Sequence, residues 1–193
     1  MTSNGYEIMP YLITGLPRSR TAWLATVCNA ATNTICYHEP TRNWTSWRQI
    51  ASIYDDDATA GVADSLLALY VEQLCSMYPT LRVLAVLRPI EQVRDALDEI
   101  KAYHEGYNNA LGVALSKIAT HSSVLCVNYD NLDDINIVIT CLEYIIPHVE
   151  IHYHKLEELM YLNVQQTADT ISRCSKGVSP KLIKEIMERI SWR

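Results

Sequence analysis

Tyr11-Leu12-Ile13-Thr14-Gly15-Leu16-Pro17-Arg18-Ser19-Arg20-Thr21-Ala22-Trp23-Leu24 passes from an uncharged apolar strand, through a polar turn, into a helix. The turn carries the chemistry of an anion cradle. Gly15 suits a tight turn, Pro17 stiffens it, and Ser19 or Thr21 is suited to open the helix. The first N–H groups of such a helix have no partners within it and face whatever lies ahead, and the helix dipole favours negative charge there. Arg18 and Arg20 add guanidinium forks that match phosphate or sulfate oxygens. A strand that feeds a helix in this way is the opening unit of an α/β domain.

Outward from this stretch, strand and helix patterns alternate. Leu24, Val27, Cys28 and Ala31 predict a helix over 19–32 with one buried stripe. A short strand over 34–37 then delivers His38-Glu39-Pro40, which in a parallel sheet emerges at the same edge as the first turn. Trp44 and Trp47 share a helix face and suit either a core or an acceptor pocket. Asp55-Asp56-Asp57 reads as a solvated loop. Leu66, Leu67, Tyr70, Leu74 and Met77 predict a helix over 59–77, which Pro79 ends. The run 81–87 is the clearest buried strand. It meets Arg88-Pro89 and a helix marked by Ile90, Val93, Leu97 and Ile100. A helix over 107–120, a strand over 123–127 and a helix reaching 144 follow. Beyond Pro147 come an extended piece over 150–153 and two further helices separated by 172–180. The expectation is a three-layer α/β/α fold with a central parallel sheet, forming a single domain over 1–193 with helices in 154–193 packed on it.

The totals narrow the ligand. A chain of 193 residues with 49% hydrophobic content can build one core of this class. A formal net charge of −6 argues against nucleic acid as a partner, so an anion must be met by local arginines. Cys28, Cys36, Cys75, Cys126, Cys141 and Cys174 form no C-x-x-C pair, which fits a reducing cytoplasm. A basic-then-apolar leader and an apolar run of membrane-spanning length are both missing from the sequence, so neither export nor a membrane is expected.

As a triphosphate loop, G-x-x-x-x-G-K-[ST], the turn fails, because Arg20 and Thr21 stand where Gly-Lys belongs. Pro17 to Leu24 instead resembles the 5′-phosphosulfate loop of the sulfotransferases, P-[KR]-S-G-T-x-W-L, with Arg20 in place of the family glycine. Leu87-Arg88-Pro89 is similar to that family's 3′-phosphate segment, L-R-x-P, whose serine falls on Ala96. Val127-Asn128-Tyr129-Asp130-Asn131-Leu132 resembles its R-Y-E-D-L strand end, and Lys176-Gly177 is weakly like its late R-K-G loop. His38-Glu39-Pro40 stands where several bacterial members carry a base.

The resemblance implies a P-loop nucleotide-binding-like fold and a metal-free transfer of a sulfuryl group from 3′-phosphoadenosine 5′-phosphosulfate to a hydroxyl or amine. Pro17, Arg18, Ser19, Arg20, Thr21, Ala22 and Trp23 would hold the donor, Arg88 its 3′-phosphate, and Trp23 and Tyr129 its adenine. Arg18 would also act in catalysis, with Glu39 as the base ahead of His38. Plainer readings stand beside these. Arg88 can be an ion-pair partner of Asp130 or Glu91, Tyr129 a core tyrosine, and His38-Glu39 a turn before Pro40. A metal at His148, His152 and His154 is disfavoured for want of spaced partners. Two alternatives to a sulfotransferase remain. One is a small-molecule or nucleotide kinase, which needs a loop lysine and an acidic Mg²⁺ ligand at a strand end, Asp130 being the candidate. The other is a non-catalytic nucleotide-binding module. No signature names the acceptor or the oligomeric state.

Overall fold

A computed structural model of the chain describes residues 9–42, 47–56 and 60–162. In order, β1 (Tyr11–Gly15) leads to α1 (Thr21–Ala30), β2 (Ile35–His38), a 3₁₀ turn at Pro40–Arg42 and α2 (Trp47–Asp56). Then come β3 (Ala60–Ala63), a 3₁₀ segment (Leu66–Tyr70), α3 (Val71–Met77), β4 (Arg82–Leu87), α4 (Ile90–Asp98) and α5 (Glu105–Ile118). β5 (Val124–Asn128), a 3₁₀ turn (Tyr129–Asp133), α6 (Ile135–Ile145) and α7 (Tyr153–Met160) complete the described chain. The five strands pair in parallel in the order β2-β3-β1-β4-β5, so every strand ends at the same edge, with β1 at the centre.

Both faces of the sheet are covered, which is why its strands read as continuous apolar runs. Along β1, Tyr11 and Ile13 join one core and Leu12 the other; along β4, Leu84 and Val86 pair with the first and Val83 and Ala85 with the second. The first core is closed by α1, α6 and α7, through residues such as Leu24, Val138, Leu142 and Leu159. The second is closed by α2, the Leu66–Tyr70 segment, α3, α4 and α5, through Ile50, Leu67, Leu74, Val93 and Leu111. The result is the three-layer α/β/α architecture with a parallel sheet. Among the described residues, no helix is long and apolar enough to cross a membrane.

The largest departure from the sequence reading is β3. Residues 60–63 belong to the sheet, registered against Tyr11–Ile13 on one side and Ile35–His38 on the other, and not to a helix over 59–77. Ala60-Gly61-Val62-Ala63 has small residues with no strong β preference, and only burial between two strands selects the extended form. Residues 150–152 form no strand, and Tyr153 begins α7. Asp55 and Asp56 close α2 instead of forming a loop, and Asp55 accepts a hydrogen bond from the Tyr78 hydroxyl at 2.8 Å. The expectations for Trp44, the Trp47 side chain, Asp57, Cys174, Lys176-Gly177 and the final helix lie outside the described residues.

Gly61 is set by packing. A Cβ there would fall 2.0 Å from the Tyr11 ring, whose hydroxyl is hydrogen-bonded to Thr34 Oγ1 at 3.0 Å, while the Tyr11 backbone carbonyl accepts from the Tyr54 hydroxyl at 3.0 Å. The ring cannot swing aside without losing the Thr34 contact. Gly61→Ala is therefore expected to destabilise by about 3 kcal/mol, a fall in Tm of roughly 6–12 °C for a chain of this size. An unchanged melting temperature would mean that Tyr11 does not cover Gly61.

Candidate functional site

The turn after β1 is tight for reasons other than those its sequence suggests. Gly15 is the last residue of the strand, and a Cβ on it would lie 2.8 Å from the Val86 carbonyl of β4, so glycine is needed for close approach. The left-handed residues are Arg18 (φ 66°) and Arg20 (φ 62°), and Ser19 N–H closes the turn onto the Leu16 carbonyl at 3.2 Å. Arg20 is the N-cap of α1, with no side-chain cap bond, so neither Ser19 nor Thr21 plays that part. Its carbonyl accepts from Leu24 N–H at 2.9 Å. Ser19 is instead fully buried, with no hydrogen-bond partner for its Oγ. A buried hydroxyl without a partner is costly unless something arrives to satisfy it.

Three arginines converge here, and two are engaged by the protein itself. Arg20 lies 2.6 Å from Asp133 and extends over the Tyr129 ring at 4.8 Å and the Trp23 ring at 5.8 Å. Arg88 donates to the Arg18 carbonyl, reaches Gln92 Oε1 at 3.4 Å and lies 4.1 Å from the centre of the Tyr129 ring. It thus pairs with neither Asp130 nor Glu91; β4 uses it to hold the β1 turn in place. Among the described residues, the Arg18 guanidinium has no partner, and it lines the cavity in front of the turn.

A left-handed conformation costs a non-glycine residue about 1–2 kcal/mol, so the glycine that the sulfotransferase loop carries at position 20 has a backbone reason. In this chain the Asp133 pairing and the ring contacts offset that cost. Asp133 is largely exposed, and an exposed pair contributes only about 0–1 kcal/mol. Arg20→Gly is therefore expected to stay within about 1 kcal/mol of the parent, with a Tm shift of roughly 3 °C or less. A drop well beyond that would make Arg20 a structural keystone of the turn.

The base candidates line the same cavity. His38 ends β2, in register with Ala63 of β3, and Glu39 N–H bonds the Ala63 carbonyl at 2.8 Å. Glu39 has φ 45°, a turn that brings its Oε1 to 3.8 Å from His38 Nε2. The side chains are 7% exposed at His38 and 25% at Glu39, so the carboxylate is the more accessible of the two.

Arg18, Arg20, Thr21, Ala22, Trp23, His38, Glu39, Arg88 and Tyr129 all line one cavity of about 460 Å³. Pro17 and Ser19 are not among its lining residues. Trp23 shows the cavity only part of its ring. The residue is buried in the core, with its indole N–H donated to the Leu159 carbonyl of α7 at 2.9 Å. Ala96 lines the cavity too and brings no hydroxyl. Met160, Tyr161 and Leu162 form a further wall that the sequence reading missed, since nothing in their composition announces that α7 docks on α1.

Asp64 was missed as well, hidden by the reading of 59–77 as a helix. It follows β3 and is buried. Burial pushes its carboxyl above the ordinary range, against the opposing effect of hydrogen bonds from Thr41 and Leu66, and the Glu39 charge adds to the rise. Burial, with the charges of Asp64 and Glu39, also raises the Tyr107 phenol. Asp130 does not line the cavity. His154 pairs with Glu158 at 2.9 Å, and no cluster of metal-ligating side chains occurs among the described residues.

No family model matches the chain, and no curated protein matches it. A solved structure does. The crystal structure of sulfotransferase STF1 from Mycobacterium tuberculosis H37Rv (type1 form) aligns with 96% of this chain and 77% of that one, at a TM-score of 0.50 and 12% sequence identity. At that identity the likeness concerns the fold, which is sulfotransferase-like.

Proposed function

We propose that the protein is a sulfotransferase, a single domain that binds 3′-phosphoadenosine 5′-phosphosulfate in the 460 Å³ cavity and serves a hydroxyl or amine acceptor. The observation that carries this reading is Arg18, whose guanidinium has no partner among the described residues, beside the first residues of α1 in one cavity. A single cavity joins this anion-seeking corner to a carboxylate and an imidazole. Its volume falls in the range of about 300–1,000 Å³ typical of small-molecule sites. The five described cysteines are free thiols, which fits a cytoplasmic protein.

When bound, the donor supplies the sulfuryl group and leaves as 3′,5′-bisphosphoadenosine. Arg18 neutralises charge on the 5′ side, while the first N–H groups of α1, at Thr21, Ala22 and Trp23, donate hydrogen bonds. Pro17 stiffens the turn. Arg88 holds the Arg18 carbonyl and offers its remaining N–H groups to the 3′-phosphate, where Ala96 adds no hydroxyl. Tyr129, with Arg20 lying over its ring, and the exposed part of Trp23 offer surfaces for adenine. Glu39 takes the acceptor's proton, with His38 beside it.

One observation favours a kinase as the second reading. Asp64 provides an acidic group at a strand end, which such an enzyme needs for Mg²⁺. Both of its oxygens accept hydrogen bonds from the chain, however, and the turn has no lysine. A thermal-shift titration separates the readings. Stabilisation by 3′,5′-bisphosphoadenosine is expected, by about 2.7 kcal/mol at a ligand concentration of 100 Kd. Stabilisation by ATP with Mg²⁺ alone would overturn the sulfotransferase reading. Binding of bisphosphoadenosine without transfer to a broad acceptor panel would mark a non-catalytic module.

A further inference from the structure

Asp64 joins the anion turn to the turn that presents Glu39. Its N–H donates to the Ile13 carbonyl of β1 at 2.9 Å, and its carbonyl accepts from Thr14 Oγ1 at 3.0 Å, immediately before Gly15. Its side chain faces the other way. Oδ2 accepts from Thr41 N–H at 3.1 Å and from the Thr41 hydroxyl at 2.5 Å, while Oδ1 accepts from Leu66 N–H at 2.9 Å. Thr41 lies in the 3₁₀ turn that follows Glu39. Glu39 is thus held on both sides, by Ala63 through its own N–H and by Asp64 through Thr41. Such a hold is what a left-handed glutamate needs in order to persist.

We infer that Asp64 is a positioning residue, one that fixes Glu39 relative to the β1 turn by tying the segment after Glu39 to the end of β3. The inference rests on the reading of Glu39 as the base. The carboxylate is chemically necessary for the tie, because Thr41 N–H and Leu66 N–H each require an acceptor, and they bond opposite oxygens. An asparagine has one oxygen and loses one of the two bonds in either orientation. Tight placement matters, since an error of about 1 Å in a catalytic group costs about 100-fold in rate.

The test uses Asp64→Asn and Thr41→Val in the full chain, with two independent readouts. The first is the hydrogen-exchange rate of the Glu39 amide, which bonds Ala63 and not Asp64. It is expected to rise about tenfold or more in Asp64→Asn, while amides of α1 stay within about twofold. Unchanged exchange at Glu39 in both Asp64→Asn and Thr41→Val would overturn the tie without any need of an acceptor substrate. The second is a kinetic cycle. Asp64→Asn is expected to lower kcat about 10- to 100-fold, with affinity for 3′,5′-bisphosphoadenosine retained, and Thr41→Ser to restore what Thr41→Val loses. In a Glu39→Gln background the same change is expected to cost about twofold or less. An equal loss in both backgrounds, or a parallel loss of bisphosphoadenosine affinity, would make Asp64 merely structural. Parental turnover in Glu39→Gln alone would instead remove the base assignment, and the Glu39 amide would still decide whether Asp64 holds that turn.

Discussion

Glu39→Gln is expected to lower turnover by about 10²–10⁴-fold, the usual contribution of a positioned general base, while binding of 3′,5′-bisphosphoadenosine stays near the parental value. The exchange is close to isosteric, so the left-handed turn at Glu39 and its bond to Ala63 need not move. It removes an acceptor for the incoming proton and leaves the charge on Arg18 untouched. The measurement is a steady-state comparison of kcat with bisphosphoadenosine affinity in the same preparation. If His38→Ala shows this split and Glu39→Gln does not, the proton passes to the imidazole, 3.8 Å away. A loss of binding in Glu39→Gln would show that the carboxylate shapes the pocket and does not serve as the base.

Arg18→Ala is expected to weaken bisphosphoadenosine binding by about 100-fold or more. Hydrogen bonds to charged groups contribute about 1.5–3 kcal/mol each, and a forked pair doubles the contact. Each 1.4 kcal/mol is a factor of about ten. The fold should survive, because the bond that anchors the turn runs from Arg88 to the Arg18 carbonyl, which alanine keeps. The one local penalty is at the backbone, where alanine inherits the left-handed conformation that arginine already bears. Isothermal titration of the variant, with its Tm as a control, checks the point. Near-parental affinity at unchanged Tm would remove Arg18 from the site.

The outline of the fold was legible wherever the chain signals strongly. Apolar runs gave β1 and β4, and the strand-turn-helix order around Arg18 and Arg88 marked the edge that the cavity occupies. The missing strand shows the limit. Ala60-Gly61-Val62-Ala63 carries no period or propensity of its own; it becomes a strand because β1 and β2 leave a slot between them, which Tyr11 fills by lying on Gly61. Asp64 disappeared with it, since a carboxylate at the end of an unrecognised strand looks like any surface acid. Most of the expected site residues line one cavity, because each is local to its turn. What the sequence could not disclose was their division of labour. Arg20, Arg88 and Arg18 look alike in one dimension. Only the packing shows that the first lies on Tyr129, the second ties down the turn, and the third faces the cavity.

The contribution of α7 to the cavity ties together two equilibria at distant points of the chain. Met160, Tyr161 and Leu162 form one wall of a space that the β1 turn also lines, and the indole of Trp23 bridges from α1 to the Leu159 carbonyl. A ligand that touches both walls has higher affinity for the chain with α7 seated than for the chain with α7 lifted away. By thermodynamic reciprocity, whatever seats α7 raises that ligand's affinity by the same factor with which the ligand favours seating. For any such ligand, helix docking and capture are therefore one coupled event, measurable from either end.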